Sequence, residues 1–293
     1  MNQEELDNIL ASGEPVNLCN ADLYGLDLSG RNFRNAILVG ANMSKVNAAA
    51  ANFHNAVMHR AVFEDAKLDH ANMSDIQGIG MTVTDCQANH VNLNRAVLIN
   101  AEMCRTAFEH SHFMEANLTS SVISGSSFYQ SQMRRINLSC VTANECDFRG
   151  TTMVSAEAVN ANFNRCDLSD VDAELINLIY SDLSEAHLTG ASFKRANMIG
   201  TFLNNVEAND VDFSDADMQA VMAHHANFDQ SVFNRVNLSM SRLIYSHMRR
   251  VSLIDTNLTQ SDMYGVDMDG TNVGKANLTF VDRTKIKNFV DVE

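Results

Sequence analysis

Bulky apolar side chains recur at every fifth position along most of this chain. In "ANFHNAVMHRAVFEDAKLDHANMSD", residues 51–75, they are Phe53, Met58, Phe63, Leu68 and Met73. A helix returns to one face every 3.6 residues and a strand every 2, so neither regular period explains the spacing, and the five-residue unit is itself the structural repeat. With the bulky residue as its centre, residues 16–280 divide into 53 pentapeptides without an insertion or deletion. The centre is Leu, Phe, Met, Ile or Val in 45 of them, and the residue two before it is Ala, Ser, Thr, Cys or Val in 47. Between the two, Asn or Asp is frequent, as at Asn42, Asn52, Asn72, Asp212 and Asp262.

This pattern, (A/S/V)(N/D)(L/F/M)xx, resembles the pentapeptide-repeat family over about nine-tenths of the chain. The resemblance implies an all-β fold: a right-handed quadrilateral parallel β-helix of about 13 coils, in which each pentapeptide makes one side and four make a 20-residue coil. At a strand spacing of ~4.8 Å the 53 repeats would build a shaft ~60 Å long. The volumes of the two inward residues support it, because a shaft of constant width requires them to compensate. Ala centres usually follow larger residues, as in Val46/Ala48, Cys86/Ala88 and Val206/Ala208, and Phe centres usually follow small ones, as in Ala51/Phe53 and Ser231/Phe233. Two places break the rule. Ala156/Ala158 is expected to be underpacked, and Gly78 leaves a hole that Met81 is expected to fill.

A solenoid needs caps at its ends. Residues 1–15 read as an N-terminal cap: Leu6, Ile9 and Leu10 stand at helical spacing behind acids in the first turn, and Pro15 precedes the first repeat. The pattern fails at Arg283, so 281–293 reads as a C-terminal cap or tail. No apolar run approaches 18 residues and no signal peptide is visible, which predicts a bacterial cytoplasmic protein or export by a route without a cleaved signal. Six cysteines lack CxxC spacing. Cys86, Cys146 and Cys166 fall at inward positions and are expected to be buried thiols, since stacked in-register side chains suit disulfide geometry poorly.

Candidate chemistry has to be read along columns of residues twenty apart. Let side one hold 16–20, 36–40 and so on, side two 21–25, side three 26–30 and side four 31–35, each with its twenty-residue repeats. Side one carries only Arg60, Glu157 and Asp217 as charges. Its outward positions are β-branched, with Ile37, Val39, Ile79, Val97, Ile99, Ile179 and Ile199 as the candidate core of a protein-interaction surface. Strand propensity alone offers a second explanation of that stripe. Sides two and three hold 20 acids against 8 bases, most of the net charge of −15. The quinolone-resistance members of the family resemble B-DNA in width and charge and bind type II topoisomerases, so Asp167, Asp170, Glu207 and Asp210 mark an alternative acidic surface. A duplex of ~60 Å would carry ~35 phosphates against a net of −12 here, and the chain lacks the loops that interrupt those members. Direct nucleic-acid binding does not suit an acidic surface.

On side four, Asp75, Arg95, Glu115 and Arg135 alternate in sign, as do Arg195, Asp215, Arg235, Asp255 and Lys275. Such a ladder controls register, because a one-coil slip would juxtapose like charges. On side three, His70, His90 and His110 occupy one column beside Asp69 and Glu109. They are candidate ligands for a transition metal, although an exposed ladder of stacked imidazoles, which protonation would drive apart, is the plainer reading. No metal or cofactor is otherwise expected, and no catalytic motif is present: the chain has no GxGxxG, GKS/T or HExxH, and a convex rod offers no cleft. The expected function is a non-catalytic scaffold or adaptor with a protein partner, with no nucleic acid and no membrane, and with homodimers possible through the neutral side or end to end. The start "EELDNILASGEPVNLCNADLYGLDLSG" resembles pentapeptide proteins that accompany bacterial type VI secretion components, which implies a role in effector loading. A secreted effector is a further alternative.

Overall fold

The structure, a computed structural model, describes residues 1–12 and 15–290; of the two expected caps, 13–14 and 291–293 lie outside the described residues. It divides into two compact units, Met1–Asp147 and Phe148–Glu293. In each unit the chain pairs with itself twenty residues further on. Parallel bridges Asn17 to Ile37, Asp22 to Asn42, Asp27 to Asn47 and Asn32 to Asn52 mark the four sides of the first unit's opening coils. In the second unit the equivalent bridges include Asp172 to Ser192, Asn177 to Asn197, Asp182 to Phe202 and His187 to Glu207. The backbone groups on either side of each bridge are used as well: Leu18 N donates to Ile37 O at 2.7 Å and Ile37 N to Val16 O at 2.9 Å. This is a quadrilateral parallel β-helix.

A side only five residues long must turn at once, and the turn is where the repeat makes its strongest demand on the backbone. All 53 corner residues from Asn20 to Phe280 have φ between +51° and +74°; ten are glycine and 43 are not. In most coils the corner is the third residue of a four-residue turn closed by a backbone bond, as from Ala56 N to Phe53 O at 2.9 Å, which is the type II pattern. None of the 43 is Val, Ile, Thr or Pro, the types for which a left-handed or positive φ is least accessible. The chain extends furthest on side two of the first unit, where β1 (Val62–Glu64) and β2 (Thr82–Thr84) pair in parallel with Val62 opposite Thr82.

The centres and the residues two before them fill the interior. Phenylalanines repeat at the coil pitch, Phe33 on Phe53 at 5.1 Å and Phe213 on Phe233 at 4.8 Å. Met81 fills the hole at Gly78 as expected: a Cβ there would meet the Met81 sulfur at 3.1 Å. The thin place in the second unit is displaced from its expected position. A void of about 10 Å³ lies beside Ala173 and is lined by Ile176 and Leu178, the residues twenty beyond Ala156 and Ala158. Most buried hydroxyls are satisfied by the turns they face, Thr151 and Ser241 being exceptions. Ser111 Oγ accepts from Val91 N at 3.0 Å and donates to Ala88 O at 3.1 Å, and Ser131 does the same for Ser111 N and Phe108 O at 2.9 and 2.7 Å.

Helix α1 (Gln3–Ala11) covers the first coil. Asn2 and Glu5 form a reciprocal capping box, each bond 2.9 Å, and Leu6 is fully buried. Gln3 does more than face the solvent. Its side-chain amide donates to Asp27 O and accepts from Asp27 N, both at 3.0 Å, taking the place that a preceding coil would hold. Arg31 pairs with Asp7 of the same helix. At the far end of the second unit a short 3₁₀ turn, Arg283–Lys285, begins at Asp282, and Lys287 then adds a last bridge to Asp267. Among the described residues no helix is long and apolar enough to cross a membrane.

Candidate interaction surfaces

The Asn and Asp residues before each centre serve the fold. Asn42 Nδ2 donates to Asp22 Oδ1 at 2.9 Å, Asn52 Nδ2 to Asn32 Oδ1 at 3.1 Å and Asn237 Nδ2 to Asp217 Oδ1 at 3.0 Å, while the same oxygens accept the backbone N–H two residues on, as from Tyr24 to Asp22 at 3.3 Å. These are ladders and Asx turns, and they leave the other outward positions as the candidates for function.

The neutral stripe of side one is distributed over the two units. The first holds Ile37, Val39, Ile79, Val97 and Ile99; Ile37 and Ile79 are exposed at 39% and 41%, and the other three are half-buried. Ile37 bridges to Val57, so apolar side chains sit on successive coils. The second unit holds Ile179 and Ile199, both half-buried, in a column with Val159. Strand propensity accounts for part of the stripe, since Ile37 and Val97 stand in β-bridges, but not for the rest. The three-residue strands form on side two, and Val39, Ile79, Ile99, Ile179 and Ile199 occupy the turn position just before the left-handed corner.

The four acids Asp167, Asp170, Glu207 and Asp210 all lie on side three of the second unit, and each is engaged with a neighbour. Arg149 Nε lies 3.7 Å from Asp167, Asn227 Nδ2 donates to Glu207 at 3.1 Å, Gln230 Nε2 stands 3.5 Å from Asp210, and the Asp170 carboxylate lies across Gly190. His187 stands between Asp167 and Glu207 in the column, bridged to both.

The side-four ladder forms at the coil pitch. Arg95 grips Asp75 with two bonds of 2.7 Å, Arg235 grips Asp215 at 2.6 and 2.7 Å, and Arg135 reaches Glu115 at 3.3 Å. Arg195 departs from the column and pairs with Glu174. A further rung, unremarked in the sequence, joins Arg105 to Asp85 on side two at 2.7 and 2.6 Å. In these pairs the guanidinium bond holds Asp75, Asp85 and Asp215 below the usual carboxylate value.

His70, His90 and His110 stack face to face, with centroids 4.8 and 5.2 Å apart and planes within 11° of parallel, and Tyr129 closes the column edge-on at 5.8 Å. Two nitrogens sharing a metal at ~2.1 Å would stand no more than ~4.2 Å apart, less than the stacking distance. Among the described residues no group of three or more His, Cys, Asp or Glu is arranged to hold a metal. All six cysteines stand as thiols, and Cys86, Cys146 and Cys166 are buried. Burial pushes the Cys86 thiol up to about 12.

Two features escaped the sequence reading. One is the left-handed corner, whose signal was present: ten of the thirteen glycines stand at multiples of five. The other is an apolar patch in the second unit, formed by the exposed Tyr180, Phe202 and Met240 with the half-buried Met222 along the edge between sides one and two. It belongs to no single column, so a search along columns passed it by.

A chain that pairs with itself every twenty residues and turns every five is a solenoid built from short, square-sided coils. It belongs to the pentapeptide repeat family: eight copies of the family's repeat, "Pentapeptide repeats", match within residues 16–279. No curated protein matches the chain. Among solved structures, it is similar to a pentapeptide repeat protein from the Arabidopsis thaliana thylakoid lumen, at 30% identity over 33% of this chain and 64% of that one, with a TM-score of 0.27. HetL, a pentapeptide repeat protein involved in heterocyst differentiation regulation from the cyanobacterium Nostoc, matches over 100% of both chains at 19% identity and a TM-score of 0.23. Full-length QnrB1, a plasmid-mediated fluoroquinolone resistance protein, matches at 17% identity over 90% of this chain and 94% of that one, with a TM-score of 0.29. Membership rests on the repeat match and not on these low scores. The matched residues begin at 16, and nothing in these matches bears on type VI secretion.

Proposed function

We propose that this protein is a non-catalytic scaffold that binds a protein partner through the neutral stripe of side one. The observation that carries the reading is a row of β-branched side chains, Val39, Ile79, Ile99, Ile179 and Ile199, at turn positions, with Ile79 open to solvent, on a side with three charged residues. Neither strand propensity nor core packing calls for them there, and apolar surface without a structural role is the mark of an interaction site. On this reading the protein acts in the bacterial cytoplasm. The resemblance of the N-terminal segment to type VI accessory proteins supports an adaptor that loads or supports an effector.

The test is a pull-down from the native host with the wild type and with Ile99→Glu plus Ile179→Glu, the captured proteins being identified by mass spectrometry. Secretion components or effectors captured by the wild type and lost from the folded variant are the expected result. Gyrase or topoisomerase subunits retained by the variant would move the function to the acidic side at Asp167, Asp170, Glu207 and Asp210. Recovery of the chain itself outside the cell would make it the cargo and not the adaptor.

A further inference from the structure

One outward column of side two in the second unit reads Asp182, Phe202, Met222, Arg242 on four successive coils, each residue bridged to the next. Two apolar residues occupy the middle, where this repeat commonly places Asn or Asp, and opposite charges stand equally far from their midpoint. The ends are ~14 Å apart at ~4.8 Å per coil. Phe202 is exposed, and on the adjoining corner column Tyr180 and Met240 are exposed at 61% and 53%. The Tyr180 ring lies flat across Gly200, where a Cβ would meet it at 2.5 Å, so it widens the apolar surface beside Phe202.

Neither terminal charge is neutralised among the described residues. The Asp182 carboxylate accepts a bond from Ser184 N at 2.8 Å, and among the described residues it makes no ion pair. Arg242 makes no side-chain hydrogen bond or ion pair among the described residues, although Asp262 lies one coil further on. In the same unit Arg235 and Arg249 grip acids one coil away. An unpaired arginine and an unpaired aspartate flanking two large apolar residues therefore stand out against the ladders around them.

We propose that this column is the contact between two copies of the chain, docked antiparallel about a two-fold axis that passes between Phe202 and Met222. Reversal sets Phe202 of one copy against Met222 of the other and Asp182 of each against Arg242 of the other, forming two ion pairs around an apolar centre. Docking in the same direction sets Asp182 on Asp182 and Arg242 on Arg242. The column is thus self-complementary in one orientation, which is the property an isologous interface requires. The patch is small beside the ~800 Å² per partner of a standard interface, so the dimer is weak and grows in with protein concentration. This contact lies on side two and does not rest on the side-one reading.

The test is sedimentation velocity of the full chain over a concentration series, comparing the wild type, Asp182→Arg, Arg242→Asp and the double exchange. Each single change confronts like charges at both ends and is expected to weaken dimerisation at least tenfold, about 1.4 kcal/mol. The double exchange restores opposite pairs and is expected to return the dissociation constant to within about threefold of the wild type, about 0.7 kcal/mol. Circular dichroism verifies the fold of each variant. Phe202→Asn, which installs a residue this repeat commonly carries at that place, provides a fold-compatible variant that should also lose the dimer. A wild type that stays monomeric throughout, a dimer indifferent to the single changes or to Phe202→Asn, or a double exchange no better than the singles would overturn the proposal.

Discussion

The left-handed corner predicts an asymmetry between neighbouring residues that side-chain contacts alone do not. Ala50 is an exposed corner with φ +56°, and Ala49 precedes it without a positive φ. An L-residue in this conformation costs roughly 1–2 kcal/mol relative to the right-handed region, and a β-branched side chain raises the strain further, by on the order of 1 kcal/mol. Glycine removes the strain but loses about 0.5–1 kcal/mol of chain entropy. Ala50→Gly should therefore be neutral to stabilising, by up to about 1 kcal/mol, and Ala50→Val should destabilise by about 1 kcal/mol, a spread of roughly 2 kcal/mol at a position with little packing to confuse it. The same Ala→Val change at Ala49 falls at the position where Val39, Ile79 and Ile99 already stand, and should stay within about 0.5 kcal/mol of the wild type. Thermal unfolding followed by circular dichroism would read a spread of about 4–8 °C between the two Ala50 variants. Because coils of a solenoid need not unfold together, amide exchange at residue 50, whose N–H donates to Asp69 O at 2.8 Å, gives the local value. The reasoning fails if Ala49→Val is as damaging as Ala50→Val, or if Gly and Val at residue 50 are equivalent.

The arginine ladder predicts an acid limb. Asp75, Asp85 and Asp215 are held below the ordinary carboxylate value of 3.8 by their guanidinium partners, so their contributions are fully present above that pH and are lost as pH falls through the lower folded values. Asp75→Asn should be less stable than the wild type at neutral pH, and urea titrations should show the gap closing below about pH 4; a gap that persists to lower pH would contradict the assignment. For the histidine column, zinc at micromolar excess should leave the thermal midpoint unchanged. A rise that disappears in His90→Ala would mean that the stacked rings separate to take a metal, since a ligand at a hundred times its dissociation constant adds about 2.7 kcal/mol.

How much of this was legible in the sequence follows from which forces repeat. The core obeys volume, and volume is written in the residue type: the pairing of Val206 with Ala208 and of Ser231 with Phe233 marks the inward positions, and the gap at Gly78 calls for the large Met81 whose sulfur occupies it. The alternating ladder on side four was legible for the same reason, since charge sign needs no coordinates, although Arg195 turned to Glu174 because a long side chain chooses among several acids within reach. Backbone conformation was less visible. A positive φ at every fifth residue shows itself as a permissive column, where Gly, Asn, Asp, His and Arg replace one another: ten of the thirteen glycines stand in it, and Val, Ile, Thr and Pro never do. An exclusion is harder to notice than a repeat. The stripe of side one is the case in which both kinds of reading meet. Sequence supplied the β-branched residues, and strand propensity was a sufficient explanation until the corner fixed where the extended residues end. With Ile79, Ile99, Ile179 and Ile199 one residue before a left-handed corner, the sheet no longer calls for them, and what remains is their outward-facing apolar surface. The same argument singles out Phe202 and Met222, which replace the Asn and Asp that elsewhere bind the following turn and so give up a local hydrogen bond in exchange for apolar contact area.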